Sequence, residues 1–246
     1  MTGSAPQPDA DGPALSSGDA LFLDFDGTLA EIGPDPDAIR LDPATAEVLA
    51  ALAARLGGAV ALLSGRGLAD LASRTPAGLW RIGGHGLQVA APGTIRIDPP
   101  PPPDPAALAA LDPLSMLPGV RVEVKGPILA IHYRAAPESA RSCLELARRA
   151  AAASPGLVVQ CGKMVVEVKP ETAHKGVALR RLAATVPFAG RRPVMVGDDT
   201  TDEDAILAAQ DLGGLGIRVG PGPSAARARL ATPAAVRGWL ARQAAA

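Results

Sequence analysis

Three carboxylates of this chain stand where apolar runs end. Asp24 and Asp26 lie at the end of the run over residues 20–25, and Asp198 follows the run over residues 193–196. Two spaced acids alone are typical of a solvated turn, but three at neighbouring strand ends would repel one another unless a cation lay between them. Hard divalent cations take oxygen ligands. The spacing therefore predicts a Mg²⁺ site at these carboxylates.

Further polar residues occupy equivalent positions. The tripeptide Ser64-Gly65-Arg66 directly follows an apolar run over residues 59–63, and Lys175 opens a helical segment. Taken alone, Ser64 is explained equally well as the cap of the next helix, and Lys175 as a surface lysine. In open α/β sheets, however, ligands bind at the carboxyl ends of the strands. If these strands lie side by side, their ends form one site.

The elements that must position these residues alternate along the chain. Apolar runs predict buried strands, and apolar residues at helical spacing predict helices between them. The alternation predicts an α/β fold with a doubly wound parallel sheet. The predicted strands cover residues 20–25, 59–63, 80–82, 193–196 and 216–219, and the predicted helices cover residues 43–56, 68–73, 175–185, 202–209 and the end from residue 234.

The alternation is interrupted after a run of five prolines at residues 99–103, which is typical of a stiff linker. The sequence pattern of the next segment predicts the order helix, strand, strand, helix, strand, strand. This order is typical of an α+β unit with an antiparallel sheet, here inserted into the α/β fold. We predict a flexible tail at residues 1–18, a core from residues 19–103 and 171–246, and an inserted domain at residues 104–170.

Composition limits the classes of protein. Hydrophobic residues make up 48% of the 246 residues but aromatic residues only 2%, so Ala, Leu, Val and Ile must fill the core. A net charge of −1 gives no basic surface for nucleic acid. Cys143 and Cys161 have no paired spacing, which favours free thiols in a reducing compartment. No apolar run reaches the roughly 20 residues that cross a bilayer. We expect a cytoplasmic monomer that binds neither membrane nor nucleic acid.

The segment at residues 24–29, D-F-D-G-T-L, resembles the first motif of the haloacid dehalogenase superfamily of phosphotransferases. The resemblance implies that Asp24 attacks phosphorus and forms an aspartyl-phosphate. It implies that Asp26 protonates the leaving oxygen, then activates water, and that its backbone carbonyl joins Asp24 and Asp198 around Mg²⁺. Ser64 and Lys175 match the second and third motifs, which bind the transferring phosphoryl group and cancel its charge. The resemblance also adds the neighbours Gly27, Gly65 and Arg66 to the predicted substrate site.

The insert lies between the second and third motifs, where this superfamily places its larger type of cap. The patterns V-E-V-K, H-Y-R and G-K-x-V-x-E-x-K-P, with G-D-D-T-T-D-E-D at residues 197–204, resemble trehalose-6-phosphate phosphatases. The resemblance implies Mg²⁺-dependent hydrolysis of trehalose 6-phosphate, in trehalose biosynthesis. It also implies that the disaccharide is contacted by Glu123, Lys125, His132, Lys163 and Glu167.

One position departs from that family. Residues 83–86 read G-G-H-G where the family has G-N-H-G, so Gly84 removes the Asn side chain while His85 stays a candidate for binding. Three alternatives remain open. The chain is a phosphatase of another sugar phosphate, such as sucrose 6-phosphate or glycosyl-3-phosphoglycerate, a phosphomutase, or a non-catalytic sensor.

Overall fold

The computed structural model describes residues 12–33, 35–162 and 164–246. They form two compact units. The first, here called the core unit, ends at Ile97 and resumes at His174. The second, here called the insert, spans Asp98–Ala173.

Eleven strands are present in the described residues. They are β1 (Asp19–Leu23), β2 (Val60–Leu63), β3 (Trp80–Gly83), β4 (Gln88–Ala90), β5 (Arg121–Lys125), β6 (Ile128–His132), β7 (Leu157–Gly162), β8 (Val165–Pro170), β9 (Arg192–Gly197), β10 (Leu215–Val219) and β11 (Ala228–Leu230).

Seven helices accompany them, with short 3₁₀ turns at Pro36–Ala38, Gly84–Gly86, Asp112–Met116 and Pro137–Ser139. The helices are α1 (Pro43–Arg55), α2 (Leu68–Arg74), α3 (Pro105–Ala109), α4 (Ala140–Ala152), α5 (Lys175–Ala183), α6 (Thr200–Asp211) and α7 (Pro233–Ala245). Among the described residues, none of these helices is both long and apolar enough to cross a membrane.

The core unit is built on a seven-stranded sheet in the order β11-β10-β9-β1-β2-β3-β4. All neighbouring strands are parallel except β3 and β4, which are antiparallel. The predicted doubly wound parallel sheet is therefore confirmed. Strands β4 and β11 were not predicted, because each has only three residues and offers too short a pattern to distinguish it from a loop.

The central strand β1 is buried at all five positions, as expected for a parallel strand covered on both faces. Its Phe22 ring lies 5.1 Å from the ring of Phe188. Helix α1 begins where the sequence predicts, since the Asp42 side chain accepts a hydrogen bond from the Thr45 amide and Pro43 occupies the first turn. With so few aromatic residues, the rest of this core is mainly aliphatic.

The start of the described chain is fastened to α7. The Trp239 indole donates a hydrogen bond of 2.8 Å to the carbonyl of Pro13, and the Leu15 amide donates one of 2.8 Å to the side chain of Gln243. Leu15 is only 5% exposed. Within the predicted tail, Leu15 is therefore an apolar anchor against α7, while residues 16–18 are exposed. Residues 1–11 lie outside the described part.

The insert contains a four-stranded antiparallel sheet in the order β5-β6-β8-β7. One face carries Leu129, Ile131, Val166 and Val168, which form an apolar cluster with α4 residues such as Cys143. The other face carries polar side chains. The single helix predicted over residues 105–117 is wrong in extent, because α3 ends at Ala109 and Pro113 falls within a separate 3₁₀ turn.

Truncating Leu52 tests the packing of the core unit. Leu52 lies on α1 and is fully buried, so Leu52→Ala should lower the free energy of unfolding by about 2–5 kcal/mol. Urea unfolding followed by tryptophan fluorescence measures it, since both tryptophans, Trp80 and Trp239, belong to the core unit. Leu207→Ala on α6, where the side chain is 45% exposed, is the control and should cost much less. Equal losses would contradict the described core.

Candidate active site

Three adjacent strands bring the predicted residues to one edge of the core sheet. In the order β9-β1-β2, all parallel, Asp198 follows the end of β9, Asp24 follows β1 and Ser64 follows β2. Residues distant in sequence thus meet because parallel strands share their carboxyl edge.

Lys175 is the charged centre of this edge. Its side chain is 3% exposed, and Nζ donates hydrogen bonds of 2.6 Å to Oδ1 of Asp24 and 2.7 Å to Oδ1 of Asp202. Burial alone lowers the pKa of Lys175, but the charges of Asp202 and Asp24 outweigh it and hold that pKa above its usual value. The lysine therefore stays charged between two buried carboxylates.

The negative charge of the carboxylates at this site still exceeds the positive charge of Lys175. Burial, reinforced by repulsion from Asp202, holds the pKa of Asp24 well above its usual range, and Lys175 only partly opposes this. Burial and Asp202 likewise raise the pKa of Asp198 to about 6, against the opposing hydrogen bond from Thr28. Ionising these groups together requires additional positive charge.

A cation site fits this demand. Asp24, Asp198 and Asp202 each present an oxygen, and the three oxygens lie within 4.8 Å of one another. Carboxylate oxygens at such separations suit a hard divalent cation. The side chain of Asp202, rather than that of Asp26, is the third member of this acidic cluster, whereas the resemblance implies only the backbone carbonyl of Asp26.

Asp202 also shapes the loop after β9. It is fully buried, and its Oδ2 accepts hydrogen bonds from the amides of Asp198 (3.1 Å) and Asp199 (3.0 Å). Asp199 caps α6, and the two acids form a capping box. The sequence left the roles of Asp199 and Asp202 open, although the acidic start of α6 already indicated a capped helix.

Gly27 and Thr28 let the first motif approach Asp198. Gly27 has φ +84°, and a Cβ there would lie 2.2 Å from Oδ2 of Asp198, so no larger residue fits. The Thr28 hydroxyl donates a 3.1 Å hydrogen bond to Oδ1 of Asp198. These contacts explain why D-x-D is followed by Gly and Thr.

Ser64, Gly65 and His85 lie together at the next strand end. Ser64 is 1% exposed, and the cap of α2 is Gly67, so the alternative explanation of Ser64 as a helix cap is wrong. The His85 amide donates to the carbonyl of Ser64 at 3.1 Å, and its imidazole packs against Gly65, where a Cβ would be 2.6 Å from the ring. His85 has φ +55°, a left-handed conformation that is rare outside glycine.

Arg66 binds the second aspartate of the first motif. Its Nε and Nη2 donate to the two carboxylate oxygens of Asp26 at 2.6 and 2.7 Å. Its Nη1 donates to Asp70 at 2.8 Å. The sequence did not reveal either contact, but the i,i+4 spacing of Arg66 and Asp70 is a signal that indicates the second.

The predicted residues of the insert lie on the polar face of its sheet. Nε2 of His132 and Oε2 of Glu123 are 2.8 Å apart, and Nζ of Lys125 is 3.5 Å from the same oxygen. Burial raises the pKa of Glu123, but Lys125 and His132 outweigh it and hold the pKa below its usual value. Glu167 shares the face, since Ala130 pairs with both Glu123 and Glu167. Lys163 lies outside the described residues.

The chain has the fold of the haloacid dehalogenase-like hydrolases. A solved haloacid dehalogenase-like hydrolase from Bacteroides thetaiotaomicron matches with a TM-score of 0.67 over 91% of this chain and 98% of that one, at 16% identity, which supports the fold.

The chain belongs to the trehalose-phosphatase family, whose model matches residues 22–233. It is 36% identical over 245 residues to the trehalose-6-phosphate phosphatase of Escherichia coli K12, covering 95% of this chain and 90% of that protein. The crystal structure of a trehalose-6-phosphate phosphatase related protein matches with a TM-score of 0.70 and 25% identity, covering 92% of this chain and 97% of that one.

The acidic cluster predicts pH-dependent stabilisation by Mg²⁺. The pKa of Asp198 is about 6 in the folded protein without metal, against a usual value of 3.8. The folded state then binds more protons than the unfolded state between about pH 4 and 6, so its stability falls as pH rises through that window. A cation replaces those protons, so Mg²⁺ should stabilise the protein at pH 7.5, by about 2.7 kcal/mol at 100 times its Kd, and far less at pH 5.

Thermal unfolding with and without MgCl₂ at both pH values measures this effect. Asp198→Asn should raise the stability of the metal-free protein at pH 7.5 and remove most of the response to Mg²⁺. Asp211→Asn, an exposed acid paired with Arg180, is the control and should keep the response. An unchanged response in Asp198→Asn would contradict the site.

Proposed function

We propose that this chain hydrolyses trehalose 6-phosphate to trehalose and phosphate, in trehalose biosynthesis, as a Mg²⁺-dependent cytoplasmic monomer. Membership of the trehalose-phosphatase family supports the substrate. The observation that carries the chemistry is the buried Asp24 carboxylate at the end of the central strand, 2.6 Å from Lys175 and within the acidic cluster.

In the first step, a carboxylate oxygen of Asp24 attacks phosphorus, and the bond from phosphorus to the sugar oxygen breaks. The electron pair of that bond goes to the sugar oxygen, which takes a proton from Asp26. Trehalose leaves, and an aspartyl-phosphate remains. The hydrogen bond from Lys175 aims the carboxylate of Asp24 and offsets negative charge at the attacking group.

In the second step, water attacks phosphorus and the bond to Asp24 breaks. Asp26, now deprotonated, takes the proton of the attacking water. The electron pair returns to the carboxylate of Asp24, which is again held by Lys175. Ser64 and the Gly65 backbone contribute polar groups at the neighbouring strand end. We assign to these groups the binding of the phosphoryl oxygens.

Mg²⁺ would be held by Asp24, Asp198 and the backbone carbonyl of Asp26, and supplies neutralisation of phosphate charge when bound. Asp202 also presents an oxygen to this cluster, and its carboxylate accepts hydrogen bonds from Lys175 and from the amides of Asp198 and Asp199, which hold the arrangement in place. It fixes Lys175 and the loop that carries Asp198.

We assign the sugar to the polar face of the insert sheet. Glu123, Lys125, His132 and Glu167 offer charged and imidazole groups on one face, and the small side chain of Ala130 separates the two glutamates. A polyol is bound by such convergent hydrogen-bonding groups. We infer that the insert acts as the cap that recognises the leaving group, with Lys163 as a further member.

Phosphate release from a panel of substrates tests the proposed function. Trehalose 6-phosphate should be preferred over sucrose 6-phosphate, glucose 6-phosphate and a glycosyl-3-phosphoglycerate, and chelator should abolish turnover. Preference for another member would replace the substrate and keep the chemistry. Release from none of them would contradict a phosphatase.

Asp24→Asn tests the nucleophile. The amide cannot form the aspartyl-phosphate, so kcat should fall by at least about 10⁴-fold, consistent with the loss of a catalytic nucleophile. Circular dichroism should show an unchanged fold. Substantial residual turnover in a freshly purified sample would rule out this route.

Glu123→Gln and Glu167→Gln test the sugar site. Each should raise KM for trehalose 6-phosphate by about 10-fold or more, since a lost charge-assisted hydrogen bond is worth about 1.5–3 kcal/mol. Turnover of p-nitrophenyl phosphate, which has no sugar, should be nearly unchanged. Glu145→Gln on α4, paired with Arg141 at an exposed position, is the control. Equal losses with both substrates would contradict a role in sugar binding.

A further inference from the structure

A chain of alternating charges leads away from Asp26 into helix α2. Asp26 is bound by Arg66, Arg66 by Asp70, and Asp70 by Arg74, whose Nη2 is 2.6 Å from Oδ1 of Asp70. Arg74 is nearly buried and also donates to the carbonyl of Ile39 at 2.6 Å. The series therefore ends on the backbone of another segment, which holds it at the Arg74 end.

The contact between Arg66 and Asp26 determines the orientation of the carboxylate. Two parallel N–H groups of one planar guanidinium donate to its two oxygens, at 2.6 and 2.7 Å. Such a fork fixes the plane of the carboxylate as well as its position. Each oxygen keeps a second lone pair, so the fork leaves both oxygens of Asp26 able to form a further hydrogen bond.

Arg66 is itself held rigidly. Its side chain is 12% exposed, and its guanidinium carbon lies 5.7 Å from the centre of the Phe25 ring. Its backbone amide donates to Oγ of Ser64 at 3.1 Å. The three guanidinium nitrogens that contact carboxylates are Nε and Nη2, on Asp26, and Nη1, on Asp70. A guanidinium engaged in this way is suited to orienting a carboxylate rather than to binding substrate.

We propose that Arg66 is a positioning residue that orients the carboxylate of Asp26 for proton transfer, and that Asp70 holds Arg66 in place. The inference rests on the proposed function only in taking Asp26 as the proton donor to the leaving oxygen. The family resemblance placed Arg66 in the predicted substrate site. The proposal gives this residue a different role, which is to orient Asp26. Lysine cannot replace it, because an ammonium group lacks the planar fork.

The test depends on the leaving group. A poor leaving group needs a proton from Asp26, whereas p-nitrophenolate leaves without one. We therefore compare kcat/KM for trehalose 6-phosphate, phenyl phosphate and p-nitrophenyl phosphate in the wild type and in Arg66→Lys and Arg66→Met. Because kcat/KM reports the steps up to the first phosphoryl transfer, the later attack of water does not enter.

Both variants should lower kcat/KM for trehalose 6-phosphate by about 10–100-fold, part of the 10²–10⁴-fold that general acid catalysis supplies. The loss with phenyl phosphate should be smaller but in the same direction, and with p-nitrophenyl phosphate less than about 3-fold. Asp70→Asn should lower kcat/KM for the three substrates in the same rank order, but by smaller factors. Retained turnover of p-nitrophenyl phosphate shows that each variant is folded. Arg180→Met, which breaks an exposed pair with Asp211, should change none of the three.

Three results would overturn the proposal. Equal losses with all substrates would mean that Arg66 contacts the phosphoryl group or only supports the fold. A loss confined to trehalose 6-phosphate would mean that it contacts the sugar, and no loss would mean that Asp26 needs no support. If the wild type hydrolyses p-nitrophenyl phosphate but not trehalose 6-phosphate, the proposed function fails, and the comparison of the two aryl phosphates still decides the role of Arg66.

Discussion

The structure depends on one buried ammonium group. Lys175 is enclosed between Asp24 and Asp202, and all three side chains are at most 5% exposed. Removing one partner of such a buried group costs about 3–5 kcal/mol, because it leaves an uncompensated charge. Because of this requirement, the end of β1, the start of α5 and the start of α6 are held together around Lys175. The same contacts aim Asp24 and fix the loop that carries Asp198, so the stability of the fold and the geometry of the site have a common origin.

That dependence explains how an insert is tolerated between the two halves of the core unit. The sheet order places β9, from the second half, directly against β1, from the first, with five paired positions. The two halves are thus joined through the centre of the sheet and through Lys175, not through the segment between them. The insert has its own apolar cluster and its own antiparallel sheet. The proposed chemistry and the proposed recognition of the sugar are therefore assigned to units that each have an apolar cluster of their own.

Most of the core sheet was predictable because its strands are short apolar runs, and β1, β2 and β9 are each followed by a polar motif. The approach of Asp24, Ser64 and Asp198 followed from the rule that parallel strands share a carboxyl edge. The burial of Asp202 and the fork between Arg66 and Asp26 were not predictable, because each depends on side-chain contacts between residues distant in sequence or on different elements. The acidic start of α6 indicated a capped helix. Nothing in the sequence around Asp202 indicated that it would also accept a hydrogen bond from Lys175.

The packing of Leu15 against Gln243 has a consequence for the architecture of larger polypeptides. Since the Leu15 amide donates to Gln243 and the Arg55 guanidinium donates to the carbonyls of both, the path into the core unit and the path out of it meet at one place on the surface. A fold whose two ends adjoin can be carried within a longer polypeptide, or rejoined end to end and opened elsewhere, without disturbing its sheet.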